Sequence, residues 1–211
     1  MQFTLIGMSG VGKSHWSKKV EAQGYRRYSC DELIAERFGV ELGKKGKATH
    51  NLAKWMGQPY SKDYEDAEAL YLELENDVVT QICDELEFGS QKHKPVVVDT
   101  TGSLVYLKES LLKRLRKLTR TVLLRMPVNK NEELFETYLQ DPKPVIWNGK
   151  YLPFQGENPQ KALGRCYREL LSFRKERYEL MSDYNMDYSF HHNPETTVED
   201  LLEFVGISLK K

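Results

Sequence analysis

The sequence predicts an α/β fold, a three-layer α/β/α sandwich with a mostly parallel five-stranded sheet. Three observations support this prediction. Short apolar runs typical of buried strands alternate with longer segments of helical periodicity. Strands that are separated by helices pair in parallel through right-handed crossovers, which places helices on both faces of the sheet. A glycine-rich segment also follows the first apolar run directly, where a loop joins the first strand to the first helix.

Each predicted strand is a short run of apolar or β-branched residues. Val96-Val97-Val98 is the clearest example, because a run without polar alternation suits a strand that is buried on both faces. The five predicted strands cover residues 3–6, 25–29, 95–99, 121–126 and 187–190.

Apolar spacing predicts the helices. Leu70, Leu74 and Val78 begin a four-residue repeat that indicates one long helix over residues 66–86. The other predicted helices cover residues 15–22, 31–38, 107–118, 131–139, 160–181 and 197–204. Residues 39–49 are rich in glycine and lysine and are predicted to form a loop. We expect one domain over residues 1–211, with an acceptor-binding insertion at about 39–65 and a lid at about 140–158.

Composition limits the possible partners. The 211 residues include 31 basic and 31 acidic side chains, so no overall basic field is available for a polyanion and we expect no nucleic-acid partner. The three cysteines lack metal-ligand spacing and fit a reducing cytosol. No apolar run approaches the ~20 residues of a membrane helix. We therefore expect a cytoplasmic protein without a membrane partner, a monomer or a weak homodimer that binds a small-molecule acceptor.

The most specific motif is the segment GMSGVGKS at residues 7–14. Its glycines allow consecutive backbone N–H groups to turn inward around an anion, and the following helix dipole favours the same charge. Lys13 can reach the β and γ phosphates, and the hydroxyl of Ser14 can ligate Mg²⁺. A P-loop NTPase fold that binds ATP and Mg²⁺ is therefore predicted. The predicted nucleotide-binding residues are Gly7, Ser9, Gly10, Val11, Gly12, Lys13, Ser14 and His15.

Two aspartates follow predicted strands, so we expect both at the sheet edge that carries the P-loop. Asp31 can orient an attacking hydroxyl and accept its proton, and the alternative is a cap on the helix that follows. Asp99 is a candidate Mg²⁺ ligand together with Ser14, and the alternative is an ordinary turn aspartate.

With these residues the chain resembles the shikimate kinase family of small P-loop kinases, and more loosely gluconate kinase. The resemblance rests on residues 7–14 and on Asp31-Glu32-Leu33-Ile34 after the second strand. Four further stretches agree in order. Residues 71–75 correspond to the family's Phe-Arg-x-x-Glu, and residues 99–103 correspond to its triple-glycine turn. Residues 143–146 correspond to Arg-Pro-Leu-Leu of the family's lid, and residues 174–178 correspond to its Arg-x-x-x-Tyr.

The resemblance implies a nucleoside-monophosphate-kinase-like fold and an acceptor site. The expected acceptor-binding residues are Asp31, Gly102, Lys143 and Arg174. The expected catalytic residues are Lys13 of the P-loop, Asp31 and Arg174. Lys143 could close over the phosphates, and the alternative is a solvated loop lysine. Two positions depart from the family. Ser29 replaces the first aspartate of its Asp-x-Asp, and Leu72 replaces the arginine that binds the shikimate carboxylate. An aliphatic side chain cannot form that two-pronged contact, so we expect an acceptor other than shikimate.

Arg174 has independent support from periodicity. It shares one face of the predicted helix with the residues Tyr167, Leu171, Tyr178 and Met181. A buried guanidinium on that face must pair with an anion, either a bound ligand or a carboxylate of the core. The further alternative is that the aliphatic part of Arg174 packs on apolar surface while its guanidinium reaches water. Arg177 lies on the neighbouring apolar stripe, and the pattern does not separate the two arginines.

Two other functions remain open at this point. Asp99-Thr100-Thr101-Gly102 matches the Asp-x-x-Gly of small GTPases, and residues 129–132 nearly match their guanine-binding motif. A GTPase needs two helices and two strands between these motifs, whereas this sequence has room for one of each. The loss of a carboxylate at Ser29 would also suit a catalytically silent nucleotide-binding module. The sequence favours an ATP- and Mg²⁺-dependent kinase that phosphorylates a hydroxyl of a small anionic metabolite.

Overall fold

Five parallel strands form one sheet in this computed structural model, which describes residues 2–38, 47–90, 94–140 and 144–206. The strands are β1 (Gln2–Ile6), β2 (Arg26–Ser29), β3 (Val96–Asp99), β4 (Arg120–Leu124) and β5 (Tyr184–Met186). They lie in the order β2-β3-β1-β4-β5, and every pairing is parallel. The predicted α/β fold class is therefore confirmed.

Helices connect the strands. In the described residues they are α1 (Lys13–Glu21), α2 (Cys30–Arg37), α3 (Lys47–Met56), α4 (Tyr64–Phe88), α5 (Glu109–Leu118), α6 (Asn131–Gln140), α7 (Pro159–Met181), α8 (Tyr188–His191) and α9 (Val198–Phe204). Short 3-10 turns occur at Leu104–Tyr106 and Val128–Lys130. No helix among these residues is long and apolar enough to cross a membrane.

The hydrophobic core lies on both faces of the sheet. Val96, Val97 and Val98 are buried, as expected for a central strand covered on both sides. Helix α1 packs against β1, β2 and β3, and α5 and α7 pack against β4. The register aligns Asp99 with Leu5 of β1 and with Ser29 of β2. The carboxyl ends of these three strands therefore meet at one edge of the sheet, beside the P-loop.

Some element boundaries differ from the prediction. The fifth strand is Tyr184–Met186, and the segment predicted to be that strand begins with helix α8. The backbone N–H groups of Phe190 and His191 donate to the carbonyl oxygen of Asp187 at 3.0 and 3.2 Å, which closes a helical turn despite the strand-like aromatic residues. Helix α3 was not predicted, and the loop prediction for residues 39–49 is wrong at residues 47–49, which form the start of this helix. It lies in the expected insertion, of which residues 39–46 are outside the described ones.

Candidate functional site

The loop between β1 and α1 has the backbone of a P-loop. Gly7, Gly10 and Gly12 have φ angles of 138°, 86° and 103°, which side chains other than glycine rarely tolerate. A Cβ atom on Gly7 would lie 2.8 Å from the carbonyl oxygen of Leu124, so a side chain there would collide with β4. No side chain caps the N-terminus of α1, which leaves backbone N–H groups of its first turn to bind an anion.

Lys13 folds back over this loop. Its Nζ donates to the carbonyl oxygens of Gly7 and Met8, both at 2.8 Å, and the side chain is buried. Ser14 and His15 are exposed beside it. Burial, followed by the charges of Lys19 and His192, lowers the pKa of His15. Of the three, Lys13 is the one that already contacts the loop backbone.

Asp99 is part of a buried ion pair at the end of β3. Its Oδ2 accepts hydrogen bonds from Ser17 Oγ at 3.0 Å and from Arg27 Nη2 at 3.3 Å. Arg27 Nε also donates to Ser17 Oγ at 2.9 Å. The side chains of Arg27 and Asp99 are only 7% and 2% exposed. Arg27 and Ser17 therefore fix the orientation of the Asp99 carboxylate.

The oxygen donors at this edge fit Mg²⁺. Oδ1 of Asp99 is buried and has no hydrogen-bond partner in the described part of the chain, although buried polar atoms normally have one. Ser17 Oγ lies 3.3 Å from the carbonyl oxygen of Ser14, which places the two predicted ligands on either side of Ser17. Mg²⁺ prefers oxygen ligands and retains several waters, so few protein donors are needed. Ser14 and Asp99 can therefore hold this ion.

Asp31 is the second residue of α2, after Cys30. Ser29 occupies the N-cap position, and no side chain makes a cap hydrogen bond there, so the alternative reading of Asp31 as the helix cap does not hold. The Tyr71 hydroxyl donates to Oδ1 of Asp31 at 3.4 Å. The helix dipole favours a negative charge in this first turn. Asp31 thus lies in the first turn of α2, in contact with Tyr71.

Glu75 is a fully buried carboxylate near Asp31. Its Oε2 accepts from Ser103 Oγ at 2.6 Å and its Oε1 from Thr101 Oγ1. Burial raises the pKa of Glu75 to about 7, the hydrogen bonds of Ser103 and Thr101 oppose the rise, and the Asp31 charge adds to it. Glu75 ties helix α4 to the turn after β3.

Gly102 lies where this turn meets the P-loop. A Cβ atom on Gly102 would lie 3.1 Å from Ser9 N and 3.4 Å from Arg174 Nη1. Its carbonyl oxygen accepts a hydrogen bond from the Tyr178 hydroxyl at 2.9 Å. A side chain at this position would crowd the P-loop backbone and the guanidinium together. Gly102 therefore joins the nucleotide-binding loop to helix α7.

Arg174 is buried and has no carboxylate within 4.0 Å among the described residues. Its Nη2 donates to the carbonyl oxygen of Ile146 at 2.5 Å and its Nε to the Tyr106 hydroxyl at 3.3 Å. Arg177 is only half-buried, and its charge adds to the larger effect of Lys113 in lowering the pKa of Glu109. Of the two arginines, Arg174 is thus the one that is buried and lies beside Gly102.

The start of the predicted lid is anchored to α4. Glu68 Oε1 accepts from the backbone N–H groups of Trp147 and Asn148 at 2.5 and 2.8 Å. The Tyr64 hydroxyl donates to the carbonyl oxygen of Val145 at 2.7 Å. Lys143, the predicted lid lysine, lies outside the described residues. Residues 145–148 are therefore held against helix α4.

A cavity of about 540 Å³ opens beside the P-loop. Met8 borders it, and the rest of its wall comes from the end of β4 and the segment after it, from Asp187, and from α6, α7 and α8. Parallel sheets bind their ligands at the carboxyl ends of the strands. The position of the cavity fits that rule.

The structure argues against the GTPase alternative. One helix, α5, and one strand, β4, separate Gly102 from Asn129 in this described stretch, as the sequence spacing indicated. Glu132, at the last position of the guanine-binding pattern, forms an exposed ion pair with Arg168 at 2.5 Å. Neither feature is what a guanine site requires.

Sequence reasoning missed three contributors to the site: Arg27, Thr101 and Ser103. Arg27 contacts a carboxylate 72 positions away in the sequence, so no local pattern signals the pair. Tyr71 and Glu75 did carry a signal, because a four-residue spacing places both on one face of a helix.

Three comparisons place the chain among known proteins. A family model described as "AAA domain" matches residues 3–128. A UPF0200 protein of Saccharolobus islandicus (strain Y.G.57.14 / Yellowstone #1) is 28% identical over 105 residues, which are 50% of this chain and 47% of that protein. The chain thus spans about half the length of this curated relative.

Solved structures of shikimate kinases share the fold. The enzyme from Bacteroides thetaiotaomicron superposes with a TM-score of 0.63 at 18% identity over 98% of this chain and 99% of that chain. The enzyme from Acinetobacter baumannii in complex with shikimate gives 0.60 at 19% identity over 96% and 88%. The enzyme from Aquifex aeolicus gives 0.58 at 19% identity over 98% and 96%. The fold is therefore that of a shikimate-kinase-like P-loop protein.

Proposed function

This chain belongs to the AAA domain family, and we propose that it is an ATP- and Mg²⁺-dependent kinase that phosphorylates a hydroxyl of a small anionic metabolite. The observation that carries the proposal is the meeting of three groups around Gly102. The P-loop approaches it through Ser9, Arg174 lies beside it, and the turn that contains it is joined to the neighbourhood of Asp31 through Glu75. Phosphoryl transfer requires this combination of positioning and charge.

In the proposed reaction, different residues bind the phosphates, the metal ion and the acceptor. Lys13 and the backbone N–H groups of residues 7–15 bind the β and γ phosphates. Mg²⁺, when bound, neutralises phosphate charge, and Ser14 and Asp99 would hold it. Asp31 accepts the acceptor's hydroxyl proton while that oxygen bonds the γ phosphorus and the bond to the ADP oxygen breaks. Arg174 binds the anionic group of the acceptor.

The acceptor is proposed to differ from shikimate. Leu72 offers an aliphatic, half-buried side chain where the family's arginine would bind a carboxylate. We further propose that all residues belong to one kinase domain, with the acceptor bound between the insertion at about 39–65 and the lid at about 140–158.

Calorimetric titration tests the proposal. ATP and GTP are titrated with Mg²⁺, first alone and then with shikimate, gluconate, sugars, polyols and nucleosides, while ADP or GDP release is recorded. We expect ATP to bind and one acceptor to raise ADP release. The Lys13→Met variant is the control and should lose both signals. Tight GTP binding without any acceptor dependence would instead support a GTP-dependent switch.

A further inference from the structure

A row of polar side chains connects Asp31 with the protein interior. The Tyr71 hydroxyl donates to Oδ1 of Asp31 at 3.4 Å, and Tyr71 is 2% exposed. Glu75 follows one turn later on α4 and has no exposed surface. Because residues four apart lie on the same helix face, both side chains enter the same part of the interior.

Ser103 joins these two side chains. Its Oγ donates to Oε2 of Glu75 at 2.6 Å. Burial raises the pKa of Tyr71, and the neighbouring Ser103 side chain opposes that rise. Thr101 donates to the other Glu75 oxygen, and its hydroxyl lies 2.9 Å from Ser103 Oγ. A row of neighbouring hydroxyl and carboxyl groups therefore leads from Glu75 through Ser103 and Tyr71 to Asp31, with hydrogen bonds at its two ends.

Glu75 has no ionic partner in this part of the molecule. No lysine or arginine of the described ranges lies within 4.0 Å of its carboxylate. A buried carboxylate without such a partner favours its neutral form, so the protonation state of Glu75 can change near neutral pH. The other titratable groups around it are Asp31 and Cys30 on α2, and Arg174 and Tyr178 on α7.

We propose that Tyr71 is a positioning residue for Asp31, and that Glu75, acting through Ser103, sets the direction in which the Tyr71 hydroxyl donates. The inference rests on the proposed function of Asp31. A protonated Glu75 donates to Ser103, Ser103 then donates to the Tyr71 oxygen, and the Tyr71 proton is left for Asp31. An ionised Glu75 instead accepts a hydrogen bond from the Ser103 hydroxyl, so the Ser103 oxygen and Asp31 compete as acceptors for the hydrogen bond that Tyr71 donates. Asp31 is therefore held best while Glu75 is protonated.

The first test needs neither nucleotide nor acceptor. The Asp31 carboxyl carbon is titrated by ¹³C NMR in the wild type, in Tyr71→Phe and in Tyr28→Phe. Tyr28→Phe is the matched control, because its hydroxyl also donates to a carboxylate of α4, that of Glu85 at 2.6 Å. The Tyr71 hydroxyl donates a hydrogen bond that stabilises the ionised form of Asp31. Its loss should therefore move the midpoint of the Asp31 titration to higher pH in Tyr71→Phe and not in Tyr28→Phe. An unmoved midpoint would overturn the proposal.

The second test is the pH profile of phosphoryl transfer, measured as ADP release with MgATP and the acceptor found by titration. Wild-type kcat should fall as the pH rises through about 7, and Tyr71→Phe should lower it roughly tenfold. Glu75→Gln should remain active and lose this pH step, because its amide always donates to Ser103. A wild-type profile in Glu75→Gln would assign Glu75 a structural role only and would contradict the proposal.

Ser103→Ala provides a second test of the link between Glu75 and Tyr71. If Glu75→Gln does not fold, Ser103→Ala interrupts the same row and should also remove the pH step; a retained step would contradict the proposal. An Asp31 midpoint that shifts in Tyr71→Phe, with no transfer to any acceptor, would reject the kinase function and leave the positioning role of Tyr71 supported. Phosphoryl transfer to an acceptor, with no shift of the Asp31 midpoint in Tyr71→Phe, would support the kinase function and reject the positioning role of Tyr71.

Discussion

Arg27 Nη2 lies 3.3 Å from Oδ2 of Asp99, and both side chains are buried. A guanidinium therefore neutralises the carboxylate that would otherwise be a bare charge beside the P-loop. Such a buried pair gives little net stability, yet removal of one partner leaves the other charge uncompensated. Arg27 thus compensates the buried charge of Asp99.

Arg27→Ala should therefore destabilise the protein by about 3–5 kcal/mol in urea denaturation, because the Asp99 charge would remain buried and unpaired. Arg26→Ala is the matched control. Arg26 pairs with Glu85 at 2.6 Å on the surface, where the side chains are 42% and 29% exposed, so its loss should cost about 0–1 kcal/mol. Equal losses in the two variants would refute this account.

Asp31→Asn should leave ATP affinity unchanged and lower phosphoryl transfer by ~100-fold or more, the usual effect of losing a general base. Isothermal titration gives the affinity, and ADP release gives the rate. Glu36→Gln on the same helix, with an exposed side chain, serves as the control and should change neither. Unchanged turnover in Asp31→Asn would remove Asp31 from the mechanism.

Glu75 should make the folded state less stable as the pH rises. Its pKa is about 7 in the folded protein against 4.5 for the ordinary group, so the folded state binds the proton more tightly. The resulting stability is fully present below about pH 4.5 and is lost as the pH rises through about 7. The loss is on the order of 3 kcal/mol. Subtracting the urea-denaturation profile of Glu75→Gln from that of the wild type should isolate it.

Glu85→Gln is the control for that pH series, and its effect should have the opposite sign. Burial raises the pKa of Glu85, but hydrogen bonds from Tyr28 and Gln81 and the charge of Arg26 outweigh this, so its pKa is lowered. The stability that Glu85 contributes is therefore lost as the pH falls. A wild-type profile that matches that of Glu75→Gln would show that Glu75 titrates normally.

Gly102→Ala should impair transfer. The new methyl group would lie 3.1 Å from Ser9 N and 3.4 Å from Arg174 Nη1, so the loop or the guanidinium must shift by a few tenths of an ångström. Small displacements of positioning groups are costly, and we expect the transfer rate to fall at least about tenfold. Gly164→Ala introduces a similar contact, 3.2 Å from the Phe135 ring, away from the P-loop. That control should keep its full rate, and a normal rate in Gly102→Ala would contradict the prediction.

The parallel sheet and the P-loop could be predicted because their signals are local. Continuous apolar runs such as Val96-Val97-Val98 suit strands buried on both faces, and the glycines at residues 7–12 indicate backbone angles that other residues avoid. The fifth strand was placed too late in the chain, because the aromatic residues of Tyr188–His191 resemble a strand while the hydrogen bonds to Asp187 form a helical turn.

The remainder of the site depends on contacts between distant parts of the chain. The partner of Arg27 is 72 positions away, and Ser103 is 28 positions from Glu75. Side-chain pairs at such separations follow from the packing of helices on the sheet, which a single sequence does not encode as a spacing. The periodicity of α7 did place Arg174 inward, and its surroundings were then set by Gly102 and by residues 145–148.

The hydrogen bonds of Lys13 have a consequence for which anions the protein can bind. Its ammonium group is already bound by two peptide carbonyl oxygens at 2.8 Å, so an incoming phosphate must compete with these internal ligands. A singly charged anion exchanges one set of contacts for another of similar strength. A polyphosphate offers several oxygens to the ammonium and to the loop N–H groups at once. We therefore expect the loop to discriminate by valence and to favour triphosphates over the abundant inorganic anions before any base or acceptor is bound.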